Sequence, residues 1–339
     1  MRRVSVLRGL LLATLTMGLW VAAGAQEVTT PVASLARQPA LTEFVREIPL
    51  GEEGASAPSG VAVAADGTLY VIDSLTDQIR VFDRDGTVIA TWGETGARLG
   101  QFRFEDASGF WGDLTLGPDG NLYVLDTFNS RVQVLSPDGE VLRAWGKPGS
   151  GEGQFNHPSG IGIDEAGRVY VAETGNARVQ LFDSEGRFLA AWAPPGAETG
   201  LFPNVVDVAV DTAGTVSVTD NARNRIYRYD AAGTVIGVFG EIGQQSGQLL
   251  HPWGIAVDAA GNLYVAEFEG QRVQILAPDG TLRGVVGSLG TETGYFSGPI
   301  YLTVSPDGLL YVADEGNQRV QVFRLLPPLA PPVGTPTGS

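Results

Sequence analysis

"GIAVDAAGNLYVAEFEGQRVQILAPDG", residues 254–280, reads as three short apolar runs, with a glycine turn after the first and another after the third. Val, Ile, Leu and Tyr fill the runs, and such residues suit the pleated, half-buried surface of a strand. The turns end on Gly261 and Gly280, where a tight hairpin needs the positive φ that glycine takes without a steric penalty. A fourth run, "LRGVVG", follows at 282–287. The stretch therefore predicts four antiparallel strands joined by short turns.

The same pattern occurs six times. "GVAVAADGTLYVIDSLTDQIRVFDRDG" starts at Gly60, "DLTLGPDGNLYVLDTFNSRVQVLSPDG" at Asp113 and "GIGIDEAGRVYVAETGNARVQLFDSEG" at Gly160. "DVAVDTAGTVSVTDNARNRIYRYDAAG" starts at Asp207, and "YLTVSPDGLLYVADEGNQRVQVF" at Tyr301. The first-turn glycines, Gly67, Gly120, Gly167, Gly214, Gly261 and Gly308, are 47 residues apart except for one gap of 53. That gap holds six extra residues around "RFEDASGFW", which a rim loop over one opening would accommodate. A fixed period of this size marks units that cannot bury their faces alone and stack on neighbours.

The sixth repeat stops at "RVQVFRLLPP" without its last turn or fourth strand. "TEFVREIPLGEEG", 42–54, aligns with "GEVLRAWGKPGSG", 139–151, and places Ile48 where Trp92, Trp145, Trp192, Phe239 and Val286 fall elsewhere. The N-terminal strand would then complete blade six. The expected fold is all-β: a six-bladed β-propeller of four-stranded antiparallel blades, closed by an N-terminal outer strand over 41–327.

The "HPxGIxxD" start, the "YVA[DE]" strand and the "N-x-R-[VI]" turn resemble the NHL repeat family, and the resemblance covers nearly all of 41–325. The diglycine of kelch and the Trp-Asp pair of WD repeats are absent. The resemblance implies a propeller fold, which serves enzymes, binding modules and scaffolds alike. The "HP" starts are also similar to those of peptide-amidating lyases, which implies a zinc site held by three histidines. This chain has two histidines, so a third ligand would have to be Asn204 or an acid.

One acid recurs in every blade: Asp73, Asp126, Glu173, Asp220, Glu267 and Asp314. Five residues later come Arg131, Arg178, Arg225, Arg272 and Arg319, with Gln78 in blade one. A fixed carboxylate–arginine offset in all blades reads as scaffolding, the guanidinium fork joining the acid to a loop carbonyl. Outer-strand tryptophans and Phe102, Phe155, Phe202 and Phe296 read as core between blades.

Function is expected where blades differ, at the mouth of the central opening. Where blade five has His251, the blades carry Ala57, Phe110, His157, Asn204, His251 and Gly298 in order. Three residues on stand Gly60, Asp113, Gly160, Asp207, Gly254 and Tyr301. Trp111 and Trp253 lie nearby and would wall the opening. The candidate rim is thus Trp111, Asp113, His157, Asn204, Asp207, His251, Trp253 and Tyr301. Within it, His157, His251, Asp113 and Asp207 are the candidate metal ligands, with zinc suited to imidazole and calcium to carboxylate and amide oxygen. The alternative is that "HP" is a structural way to begin a blade, with the imidazole bonded to a neighbouring loop. No nucleophile elbow or cysteine nucleophile is present, and no catalytic residue is assigned.

The chain has 339 residues, no cysteine and a net charge of −16. Arg2, Arg3 and Arg8, the apolar "GLLLATLTMGLWVAA" and "AGA" at 23–25 predict a signal peptide over 1–25, cleaved near Ala25, and export to the periplasm or outside the cell. A linker is expected at 26–40 and a Pro-rich disordered tail at 328–339. An acidic chain argues against nucleic acid, and no membrane span is expected in the mature chain. These features favour a monomeric, exported binding module for a protein, peptide or glycan. The alternative is a metal-dependent lyase or hydrolase, amidating-lyase-like or lactonase-like, at the channel mouth.

Overall fold

A computed structural model describes residues 41–50, 56–106, 109–195 and 204–326. The expected signal peptide, linker and tail lie outside the described residues, as does Phe202. Six four-stranded antiparallel sheets follow one another around a ring. In blade five the strands are Pro252–Val257, Leu263–Glu267, Arg272–Leu276 and Leu282–Val286, running from the central channel outward. Gly261 and Gly280 take φ of +79° and +85° at the first and third of its turns. In the first turn, Asp258 Oδ1 accepts the N–H groups of Ala260 and Asn262, both at 2.9 Å. Such an Asx turn holds the chain reversal locally.

The N-terminal strand closes the ring as the sequence predicts. Thr42–Pro49 pairs antiparallel with Arg319–Leu325, and Ile48 faces Val320 as Trp145 faces Val132 in blade two. Ile48 is 1% exposed and Leu50 is fully buried, in a cluster that spans blades six and one. The second strand of each blade is buried along its length, because neighbouring blades cover both its faces. Trp92 reaches from blade one into blade two, close against Gly139. Phe102, Phe155 and Phe296 are fully buried, as expected of core.

The acid–arginine pairing holds in four blades and is rearranged in two. Arg178 Nε bonds Glu173 at 2.6 Å while its other nitrogens hold the carbonyls of Ser150, Gly151 and Gln154. Arg131 and Arg272 do the same in their blades, while Arg319 binds Asp314 and two loop carbonyls and gives its remaining nitrogen to Glu47 of the N-terminal strand at 2.7 Å. In blade four, Arg225 instead donates to the Gly240 carbonyl, and Arg223 takes Asp220 at 3.4 Å. In blade one, Gln78 does not replace the arginine; Arg80 binds Asp73 at 2.7 Å. A second partner escapes the sequence reading. Gln133, Gln180, Gln274 and Gln321, two residues after the arginine, bridge the acid to the same loop.

Within the insertion between blades one and two, Glu105–Asp106 pairs antiparallel with Gly109–Phe110. The insertion shortens the innermost strand of blade two to Asp113–Leu116 and brings Trp111 to the channel mouth.

Candidate functional site

The eight candidate residues separate into two layers. The deeper one plugs the channel. Asp113, Asp207 and Tyr301 come from blades two, four and six and are 6%, 4% and 2% exposed. Gly60, Gly160 and Gly254 come from blades one, three and five at the same level. A Cβ on Gly60 would lie 2.7 Å from Asp113 Cα, one on Gly160 2.5 Å from Asp207 Cα, and one on Gly254 2.8 Å from Tyr301 Cα. The alternation of glycine with a larger residue is therefore a packing pattern. The ring is too narrow for six side chains at this level, and glycine lets the neighbouring backbone approach.

Each carboxylate also ties two blades together. Asp113 Oδ1 accepts Leu114 N–H at 2.8 Å, and its Oδ2 accepts Ile161 N–H of blade three at 2.9 Å. Asp207 repeats this with Val208 at 2.7 Å and Ile255 of blade five at 2.8 Å. The two carboxyl groups are buried close enough for the charge of one to act on the other. Burial pushes Asp113 up to about 7. Burial, and next the charge of Asp113, raises Asp207 as well. Tyr301 donates its hydroxyl to the Ser159 carbonyl in blade three, and burial raises its pKa. Below this plug lies a cavity of about 280 Å³ walled by Val63, Leu116, Ile163, Val210, Val257 and Val304.

The upper layer is aromatic. Trp111 meets Trp253 edge to face with ring centroids 6.1 Å apart. On one side Trp111 stacks on Phe128 and touches His157, each at 6.2 Å. On the other, Trp253 contacts His251 at 5.7 Å and Phe268 at 5.8 Å. Six rings from blades two, three and five thus form one chain of contacts, and each of them is at least partly exposed. Pairs in this geometry contribute about 0.5–1.5 kcal/mol beyond area burial. His157 and His251 have left-handed backbones, φ +45° and +55°, where blade six has Gly298 at +66°. A non-glycine residue there stores of order 1–3 kcal/mol of strain.

Phe128 and Phe268 were not among the sequence candidates. Both follow the recurring acid of the second strand, where the other blades carry Ser74-Leu75, Thr174-Gly175, Asn221-Ala222 and Glu315-Gly316. Comparing the blades at that second loop as well would have singled them out. Asn204 stands apart from the rings, its Nδ2 donating to Asn221 Oδ1 at 2.6 Å.

The donor set does not fit a metal ion. The acids are committed to backbone N–H groups below the rings. His157 Nδ1 lies 2.9 Å from Asn156 Oδ1, and His251 Nδ1 lies 3.5 Å from Glu269. Among the described residues no three His, Asp or Glu side chains converge. Burial lowers the His251 pKa, which favours a neutral ring.

Three segments, residues 155–182, 249–276 and 296–323, match the NHL repeat. They fall in blades three, five and six. Blade four, where the arginine pairing departs, is outside them. Among solved structures the chain is similar to a catalytically inactive histidine-to-alanine variant of virginiamycin B lyase from Staphylococcus aureus, crystallised with quinupristin. Identity is 15%, with 84% of this chain and 100% of that chain covered at a TM-score of 0.59. A streptogramin B lyase matches at 15% identity, 84% and 98% coverage and 0.58. A structural-genomics protein of unknown function from Bacteroides thetaiotaomicron matches at 14%, 84% and 73%, and 0.61. At such identities the likeness is one of fold. With the ring of six blades and the matched repeats together, the chain is an NHL-repeat six-bladed β-propeller.

Proposed function

We propose that this protein is a binding module that receives a protein, peptide or glycan ligand on the aromatic mouth of its channel. The observation that carries the reading is the continuous ring contact from Phe128 through Trp111 and Trp253 to Phe268. Partly exposed aromatic rings gathered over a plugged channel offer apolar area with little side-chain entropy to lose on binding. The plug below is saturated with hydrogen bonds and acts as a rigid floor. Trp111 arrives on a hairpin that the other blades lack, which is how a repeat scaffold acquires one specific site. Export follows from residues 1–25 and would place this site in the periplasm or outside the cell.

The test is a screen of peptides and oligosaccharides by isothermal titration calorimetry, followed by Trp111→Ala. Trp111 is only partly buried, so its loss should weaken ligand binding at least about tenfold and leave the melting temperature within a few degrees. Ligands whose affinity ignores Trp111 would sink the reading.

A lyase-like enzyme is the second reading. It is favoured by the neutral His251 beside Glu269 at the mouth, an imidazole–carboxylate neighbourhood suited to proton transfer. Turnover of lactones or amidated-peptide precursors that vanishes in His251→Ala would establish it.

A further inference from the structure

Beside the aromatic mouth, between blades two and three, a groove of about 530 Å³ opens on the same face. Phe128 and His157 belong to both, so the groove continues the mouth sideways. Its other walls include Arg103, Asp106 and Thr127, together with the Pro148–Ser150 loop.

Thr127 is the unusual member. It is 1% exposed, and its hydroxyl has no hydrogen-bond partner among the described residues. The equivalent side chains in three other blades are partnered by their own blade's first strand or the residues leading into it. Ser74 Oγ lies 2.7 Å from Ser59 Oγ, and Thr174 donates to the His157 carbonyl at 2.9 Å. Asn221 accepts from Asn204 at 2.6 Å. In blade two the inserted hairpin has replaced that segment, so Thr127 is left without it. An unpaired buried hydroxyl is destabilising, and a ligand oxygen at the groove floor would satisfy it.

Arg103 supplies the charge. Its backbone is fixed, with its N–H donating to Asp126 Oδ1 at 2.8 Å and its carbonyl accepting from Phe128 N–H at 3.1 Å. Its side chain is exposed and forms no ion pair among the described residues. A guanidinium and a hydroxyl donor together match a carboxylate. Asp106 lines the same groove, and the chain carries a net −16, so a group of higher negative charge is disfavoured.

We infer that this groove binds a single carboxylate of a ligand whose apolar part lies on the aromatic mouth. The inference rests on the mouth being the ligand seat and adds what lies beside it. Arg103 pairs with the carboxylate, Thr127 donates to it, and Phe128 and Trp111 meet the adjoining ring or aliphatic group.

The experiment compares N-acetyl-L-phenylalanine with N-acetyl-L-phenylalaninamide by titration calorimetry on the intact protein. The two share ring and amide and differ in the carboxylate. The acid should bind about tenfold more tightly, and Arg103→Gln should abolish that preference while leaving the amide's affinity unchanged. Thr127→Val should narrow it. Equal affinities in the unmodified protein, or a preference that survives Arg103→Gln, overturn the groove and leave the mouth standing. A carboxylate preference that persists in Trp111→Ala supports the groove and overturns the mouth as its partner. Binding by neither compound, with melting unchanged, overturns both.

Discussion

Asp113 of blade two and Asp207 of blade four are buried at one level of the channel, near enough for the charge of Asp113 to raise the pKa of Asp207. Each also accepts a backbone N–H from the next blade, so the pair joins four of the six blades at the axis. Burial raises both folded pKa values, and the unfolded carboxylates release their protons near 3.8. The folded state then binds more protons between 3.8 and about 7, and stability must fall as pH rises through that window. Thermal melts from pH 4 to pH 7 should show this decline. The Asp113→Asn/Asp207→Asn double variant should flatten it, and an unchanged slope there would refute the raised carboxyl pKa values as its cause. Asp113→Ala, which strands the Ile161 and Leu114 N–H groups, should be destabilising by about 2–5 kcal/mol.

The glycines opposite this layer should tolerate nothing larger. A Cβ at Gly160 would sit 2.6 Å from the Val206 carbonyl, and one at Gly254 2.3 Å from the Ile300 carbonyl. The atoms it meets are backbone and cannot rotate away. Gly160→Ala and Gly254→Ala are each expected to lower stability by about 1–3 kcal/mol or more in chemical denaturation. A neutral result would mean that the inner strands are less closely spaced than described.

Two arginines at one repeat position should behave differently. Arg178→Ala removes the partner of a fully buried Glu173 and frees three loop carbonyls, so a loss of about 3–5 kcal/mol is expected, with faster hydrogen exchange in the 149–154 loop. Arg225 makes no bond to Asp220, and Arg225→Ala should be destabilising by about 1 kcal/mol. Equal losses would show that blade four is braced like the others.

Metal removal should leave the fold untouched. The candidate carboxylates are occupied by N–H donors and the two histidines stand in the layer above them. Melting in EDTA is expected to match melting in added zinc or calcium. A metal-dependent rise of several degrees, lost in His251→Ala, would return the rim to the metal-binding reading.

The number of blades, their strands and the closing role of Ile48 were legible in the chain because each depends on a pattern repeated along it. Turn glycines recur at a fixed period, and the missing strand of blade six is visible as a gap at one end and a surplus at the other. The rim was legible only as a set of positions where the repeat breaks. Which of these residues plug the channel and which line its mouth depends on the curvature of the closed ring, which no single repeat contains. That curvature leaves room for three larger side chains at the level of Asp113, and it turns the Asp–Gly alternation into packing. The meeting of Trp111 with Trp253 also needed the tertiary structure. It depends on the path of an inserted hairpin, and the hairpin lies outside the repeat by which the rest could be read.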